Sequence, residues 1–140
     1  MSESTAAEIK GEGIRVMYKI TSKICLSGDV GIYGNMFGGK LLSIMDEAAA
    51  IYARLYTREE RIVSRHFSGV EFHSPIKVGE ILEVYADNPR RGVTSFSFDI
   101  IVIAGLNQNR RFQASCVFVA LDPAGHKKPI DWSRAGEPEV

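Results

Sequence analysis

Residues 34–58 read GNMFGGKLLSIMDEAAAIYARLYTR, a glycine-rich turn running into a long helical pattern. From Gly38 to Tyr56, at about 100° per residue, Leu41, Met45, Ala48, Ala49, Tyr52 and Tyr56 share one side. Leu42, Ile44 and Leu55 sit on its shoulders. Lys40, Ser43, Glu47 and Arg54 gather opposite, so the spacing predicts an amphipathic helix with a broad apolar face. Asp46 breaks the division. It falls roughly 100° from Met45, beside Leu42 and Ala53, on the edge of the apolar face. A carboxylate at the rim of a core is partly desolvated, which raises its proton affinity. Glu47 points into the polar face and should behave as an ordinary surface acid.

Outward from the helix, the chain reads as strands. Ile14 to Leu26 is rich in β-branched and large residues, and Ser27, Gly28, Asp29, Gly31 and Gly34 break it into a loop. Beyond the helix, Ile62 to Phe72 is an extended segment of mixed polarity. It sets Ser64, His66 and Ser68 against Val63, Arg65 and Phe67, which suits an edge, an interface or a strand touching a site. Glu80 to Ala86, Val93 to Ile103 and Arg111 to Leu121 complete the set, with a turn signal at Asn88-Pro89-Arg90-Arg91-Gly92. In Val93 to Ile103, Phe96, Phe98, Ile100 and Val102 alternate with Ser95, Ser97 and Asp99. One long helix cannot bury itself, so the expected fold class is α+β, a five-stranded antiparallel sheet wrapped around the helix. Residues 1–13 read as a flexible tail, 14–130 as the domain and 131–140 as a C-terminal tail.

The formal net charge is zero, which argues against a general nucleic-acid binder. No apolar run approaches the ~20 residues that cross a bilayer, and residues 1–13 lack the apolar segment of a signal peptide. Cys25 and Cys116 have no metal-like spacing and read as buried, reduced thiols of a cytoplasmic protein. With neither a phosphate loop of the Walker type nor a metal-ligand cluster, no metal or redox cofactor is expected.

GNMFGGKLLSIMDEA at Gly34 to Ala48 resembles the signature of the hotdog-fold acyl-CoA thioesterases, the YciA-like and brain-type acyl-CoA hydrolases. The similarity extends to FHSPIKVGE at Phe72 to Glu80, RGVTS at Arg91 to Ser95 and VFVALDPAGHKKP at Val117 to Pro129. The resemblance implies hydrolysis of acyl-CoA, with Asp46 as general base or nucleophile. The N–H groups of Gly38 and Gly39 would polarise the thioester carbonyl, Ser64 would orient the water, and Asn35 matches a polar position used at the site. Many relatives carry Thr-Asn where this chain has Val30-Gly31, which shifts the carbonyl-side hydrogen bonding onto Asn35.

The phosphates of CoA call for basic residues at the tunnel mouth. Arg90, Arg91, Lys127 and Lys128 are the candidates, with Thr94 and Ser95 as hydroxyl donors. The resemblance also implies a homodimer assembled further into a hexamer, a trimer of dimers, with each active site shared between two chains. Two other readings compete. A non-catalytic acyl-CoA sensor would share the fold. A hydratase motif begins like Ser27-Gly28-Asp29, but the Asn-Pro and His that should follow are replaced by Gly31-Ile32-Tyr33-Gly34.

Overall fold

Alternation on one strand organises the molecule. Phe96, Phe98, Ile100 and Val102 are fully buried on one face of β5 (Ser95–Ala104), as their spacing predicts. The computed structural model describes residues 5–138. It places β5 in a six-stranded antiparallel sheet with β1 (Thr5–Ile9), β2 (Gly13–Ile24), β3 (Ile62–Phe72), β4 (Ile81–Arg91) and β6 (Asn109–Ala120). The spatial order is β1-β2-β4-β5-β6-β3.

The single long helix, α1 (Gly38–Thr57), lies on the inner face. Its buried residues include Leu41, Met45, Ala48, Ala49, Tyr52 and Tyr56, the six that the wheel groups together. Tyr52 sits at the centre of an aromatic cluster, 4.9 Å from Phe98, 5.4 Å from Tyr18 and 5.9 Å from Phe96 between ring centroids. Each such pair adds about 0.5–1.5 kcal/mol beyond the area it buries. The helix stops at Arg58, which takes the left-handed conformation (φ 62°) and donates its N–H to the Arg54 carbonyl at 2.9 Å.

The sheet has six strands where the sequence suggests five. Residues 5–9, expected within the flexible tail, form β1 and pair with the start of β2. This hairpin covers the outer face of the sheet, where Ala7, Ile9 and Met17 bury Tyr85, Ile101 and Ile103. Arg15 is paired to Asp87 and Arg110 to Glu12, and Lys10 N–H donates to the Gln108 carbonyl at 3.1 Å. Residues 1–4 lie outside the described part of the chain.

The C-terminal segment also departs from expectation, because described residues of 131–138 dock rather than trail. The Trp132 ring packs edge-on to Phe96 at 5.9 Å and its Nε1–H donates to the Gly92 carbonyl at 2.8 Å. Tyr52 Oη donates to Glu137 Oε1 at 2.7 Å, and Gly136 N–H donates to the Tyr56 carbonyl at 3.0 Å.

The signal at Asn88 to Gly92 marks a bulge rather than a turn. β4 continues to Arg91, with its register to β5 shifting between Asp87 and Arg90 and Asn88 at φ 57°. Pro89 has no N–H to give a ladder, so it sits where pairing lapses. The turn itself is Gly92 to Ser95, closed by Gly92 N–H to the Ser95 carbonyl at 2.9 Å.

Candidate active site

The turn before α1 is tied at several points. Val30 bridges Met36 and Asn35 bridges Lys77. Met36 N–H donates to the Ile76 carbonyl at 2.8 Å and Phe37 N–H to the Asp29 carbonyl at 3.1 Å. Asp29 is itself buried. Its carboxylate accepts from Lys23 Nζ at 2.7 Å and Leu26 N–H at 2.9 Å, with Lys40 at 3.5 Å. The Lys23 hydrogen bond, then that from Leu26, pull its pKa down to about 2.

Gly38 and Gly39 begin the helix, so their N–H groups precede any carbonyl of the helix that could accept them. The helix dipole adds partial positive charge at this end. A methyl on Gly38 would touch the Phe72 ring at 3.4 Å, while Gly39 faces open space. Asn35, Gly38, Leu41, Phe72, Ser74 and Ile76 line a cavity of about 400 Å³ beside this helix start. At Gly31 any β-carbon would come within 2.9 Å of the Phe37 ring. A relative's asparagine cannot stand here until that ring turns aside.

Asp46 follows two helical turns later and is exposed in the protomer, as is Glu47. The expected shielding by the protomer's own core is therefore absent; a short side chain on the shoulder of the helix does not reach under the sheet. Proximity to the core still separates the two acids. Asp46 contributes to the rise of the buried Cys116 thiol, which burial first, then Asp99 and Asp46, push up to about 12. The Asp46 charge is thus felt at this β6 thiol, and that of Glu47 is not.

Ser64 lies on the exposed edge strand β3, opposite Phe118 of β6. A register shift between Ser64 and His66 breaks the simple alternation expected for this strand. Beyond it Phe67, not His66, pairs with the inward residue Cys116, so Ser64 and Phe67 share the inner face and His66 leaves it. A bulge carries no side-chain signature in this segment, which is why alternation alone misassigns His66.

The basic candidates gather at one end of the sheet but are not equivalent. Arg90 is engaged by Asp99 at 3.1 Å and by the Asn88 carbonyl at 3.0 Å. Lys128 is bound to the buried Glu59 at 2.6 Å. Arg91 lies over the rings of Trp132 (5.1 Å) and Tyr56 (5.6 Å), and Lys127 is exposed. Thr94 and Ser95 are half-buried in the turn beside them, with the Thr94 carbonyl taken by Ala120 N–H at 3.0 Å. Arg58, Arg61, Lys128 and Arg134 line a groove of about 400 Å³ that the sequence reading missed. Arg58 and Arg61 fall between the helical pattern and the strand from Ile62, and Arg134 in the expected C-terminal tail, so nothing marked them as neighbours.

Among the described residues no group of three or more His, Cys, Asp or Glu could hold a metal ion, and no helix is long and apolar enough to cross a membrane.

Residues 33–108 match the family model of the thioesterase superfamily. The chain is 32% identical over 114 residues to the acyl-CoA thioester hydrolase YciA of Salmonella typhimurium, covering 76% of this chain and 85% of that protein. A hexameric thioesterase from Yersinia pestis superposes with a TM-score of 0.73 at 28% identity, over 80% of this chain and 93% of the other. An acyl-CoA hydrolase from Staphylococcus aureus, solved with butyryl-CoA and CoA, superposes at 0.71 with 28% identity, over 79% and 66%. The fold shared with these hotdog enzymes is the one expected from the sequence.

Proposed function

This chain belongs to the thioesterase superfamily, and from that premise we propose that it hydrolyses acyl-CoA thioesters to the free acid and CoA. One observation carries the reading: the unpaired Gly38 and Gly39 N–H groups open the same helix that exposes Asp46 two turns on. The first feature suits a carbonyl oxygen gaining negative charge, and the second suits a water or an acyl carbon under attack. At 1.5 Å per residue, Asp46 stands about 12 Å along the axis from Gly38. One chain therefore cannot apply both the start of its helix and the mid-helix Asp46 to a single carbonyl.

A two-fold dimer resolves this distance. In it Asn35, Gly38 and Gly39 of one protomer hold the thioester carbonyl, and Asp46 of the partner subunit is general base or nucleophile. Ser64 orients the water. Support for the seam comes from β3, whose Val63 and Phe72 remain 46% and 52% exposed on a free edge. Pairing it with a second β3 would cover apolar surface and unpaired backbone groups together. It would also shield Asp46 as no single protomer does. Three such dimers form a hexamer, a reading supported by the hexameric thioesterase of Yersinia pestis.

The CoA phosphates lie against Arg91 and Lys127, with Arg90, Lys128, Thr94 and Ser95 flanking them. Of these, Arg91 and Lys127 have no acidic partner among the described contacts. The chemistry uses a carboxylate and backbone donors, so it calls for no group beyond the CoA of the substrate. The two buried free thiols support a cytoplasmic setting.

A turnover screen tests the reading. The purified protein should release CoA from a panel of acyl-CoA esters, with kcat/KM of about 10⁴ M⁻¹s⁻¹ or more on its best substrate. Tight binding without release would instead indicate a non-catalytic acyl-CoA sensor.

A further inference from the structure

Building on that reading, we propose that Lys77 is a positioning residue for hydrolysis, turning the Asn35 amide so that its Nδ2–H₂ end is offered to the thioester carbonyl. A carboxamide has an acceptor end and a donor end, and rotation by 180° exchanges them. An oxyanion needs donors, so an Asn35 free to flip would present the wrong atom for part of the time. An ammonium settles the choice, having three donors and no acceptor. Lys77 Nζ donates to Asn35 Oδ1, so Nδ2 is directed away from the lysine. Asn35 and Gly38 line the same cavity beside the helix start, where the donor is wanted. Gly31, earlier in the turn, has no side chain to give.

The Lys77 side chain is exposed, but the backbone that carries it is tied to a buried arginine. The Lys77 backbone bridges Asn35, and its N–H donates to Glu80 Oε1 at 2.7 Å. The Glu80 carboxylate is gripped at both oxygens by Arg111, at 2.9 and 2.7 Å. Arg111 is 6% exposed and also donates to the carbonyls of Pro75 at 2.6 Å and Ala104 at 3.1 Å. The backbone of the loop carrying the lysine is thus anchored to β6 and β5. The ammonium has a second effect. By drawing density toward Oδ1 it polarises the amide and makes Nδ2–H₂ a stronger donor.

Two measurements test this. In steady-state kinetics Lys77→Met should lower kcat about tenfold, less than the ~10²–10³ of losing a donor outright, with KM within about twofold. Lys77→Arg, which keeps a donor-only cation, should recover most of the loss. In an Asn35→Ala background Lys77→Met should cost nothing further, because the lysine acts through the amide. A rise in KM at unchanged kcat, or an equal loss with and without Asn35, would overturn the proposal.

The second measurement is the carbonyl stretch of an acyl-CoA bound to Asp46→Ala, which should hold substrate without turning it over. Adding Lys77→Met should move that stretch back toward its value in water. An unmoved frequency would overturn the role of Lys77 while leaving the enzyme reading intact. Failure of Asp46→Ala to bind any acyl-CoA would instead overturn the functional reading, and this inference with it.

Discussion

Asp46 and Glu47 are neighbours of identical chemistry, both exposed in the protomer, so burial within one chain does not separate them. Helix register does: the sequence already set Asp46 on the shoulder of the apolar face, and in the structure its charge is near enough to help raise the buried Cys116 thiol. Asp46→Ala should therefore reduce kcat by about 10²- to 10⁴-fold, or more if the carboxylate attacks directly, with thermal stability unchanged. Glu47→Ala should be near neutral in the same assay. The converse pair of results would reject both the register argument and the assigned role. Arg91 offers a separate check, since its guanidinium lies on two rings and faces no carboxylate. Arg91→Ala should raise KM for CoA esters more than for pantetheine thioesters, and added salt should narrow the gap. Equal effects on both substrates would mark Arg91 as a packing residue. Composition alone could not have ranked the cations, because Arg90 is taken by Asp99 across the β4–β5 pairing and Lys128 by Glu59 from the far side of the sequence.

At the scale of elements, α1 was legible because it keeps a helical period over twenty residues, and the inner face of β5 because Ser95 to Ile100 alternates cleanly. β1 was not, since TAAEI has weak strand character by itself. Its trace lay elsewhere, in the outward apolar residues Tyr85, Ile101 and Ile103, which needed a cover the five-strand reading did not supply. The β4 bulge was legible as a break at Asn88-Pro89 but not as a bulge, and the shift between Ser64 and His66 in β3 left no mark, because pairing depends on the partner strand.

The turn before α1 makes its own prediction through Asp29. Its carboxyl is held near pH 2, below the ordinary 3.8, by Lys23 and the Leu26 N–H. A lowered folded-state pKa stabilises the protein above the unfolded value and is lost as pH falls toward the folded one. Asp29→Asn should therefore lower the urea midpoint at neutral pH. The difference from wild type should shrink as the pH drops from about 4 to about 2. A difference that stays constant with pH would mean that the carboxylate charge has no part in holding the turn.

For the whole molecule, the site as proposed is incomplete in one chain. β3 closes the sheet with an eleven-residue exposed edge, and the start of α1 lies about 12 Å along the axis from Asp46. Mixed polarity along Ile62 to Phe72 hinted at a seam, but a single sequence cannot say what lies across it. The direct test is complementation between Asn35→Ala and Asp46→Ala, each expected to keep roughly 1% of wild-type activity or less, unfolded together and refolded in equal amounts. Random pairing makes about half of the dimers mixed, and each mixed dimer would carry one site with both residues intact. The account predicts that about one quarter of wild-type activity returns on mixing. No return of activity would mean that Asn35 and Asp46 act within the same chain, contradicting the shared site.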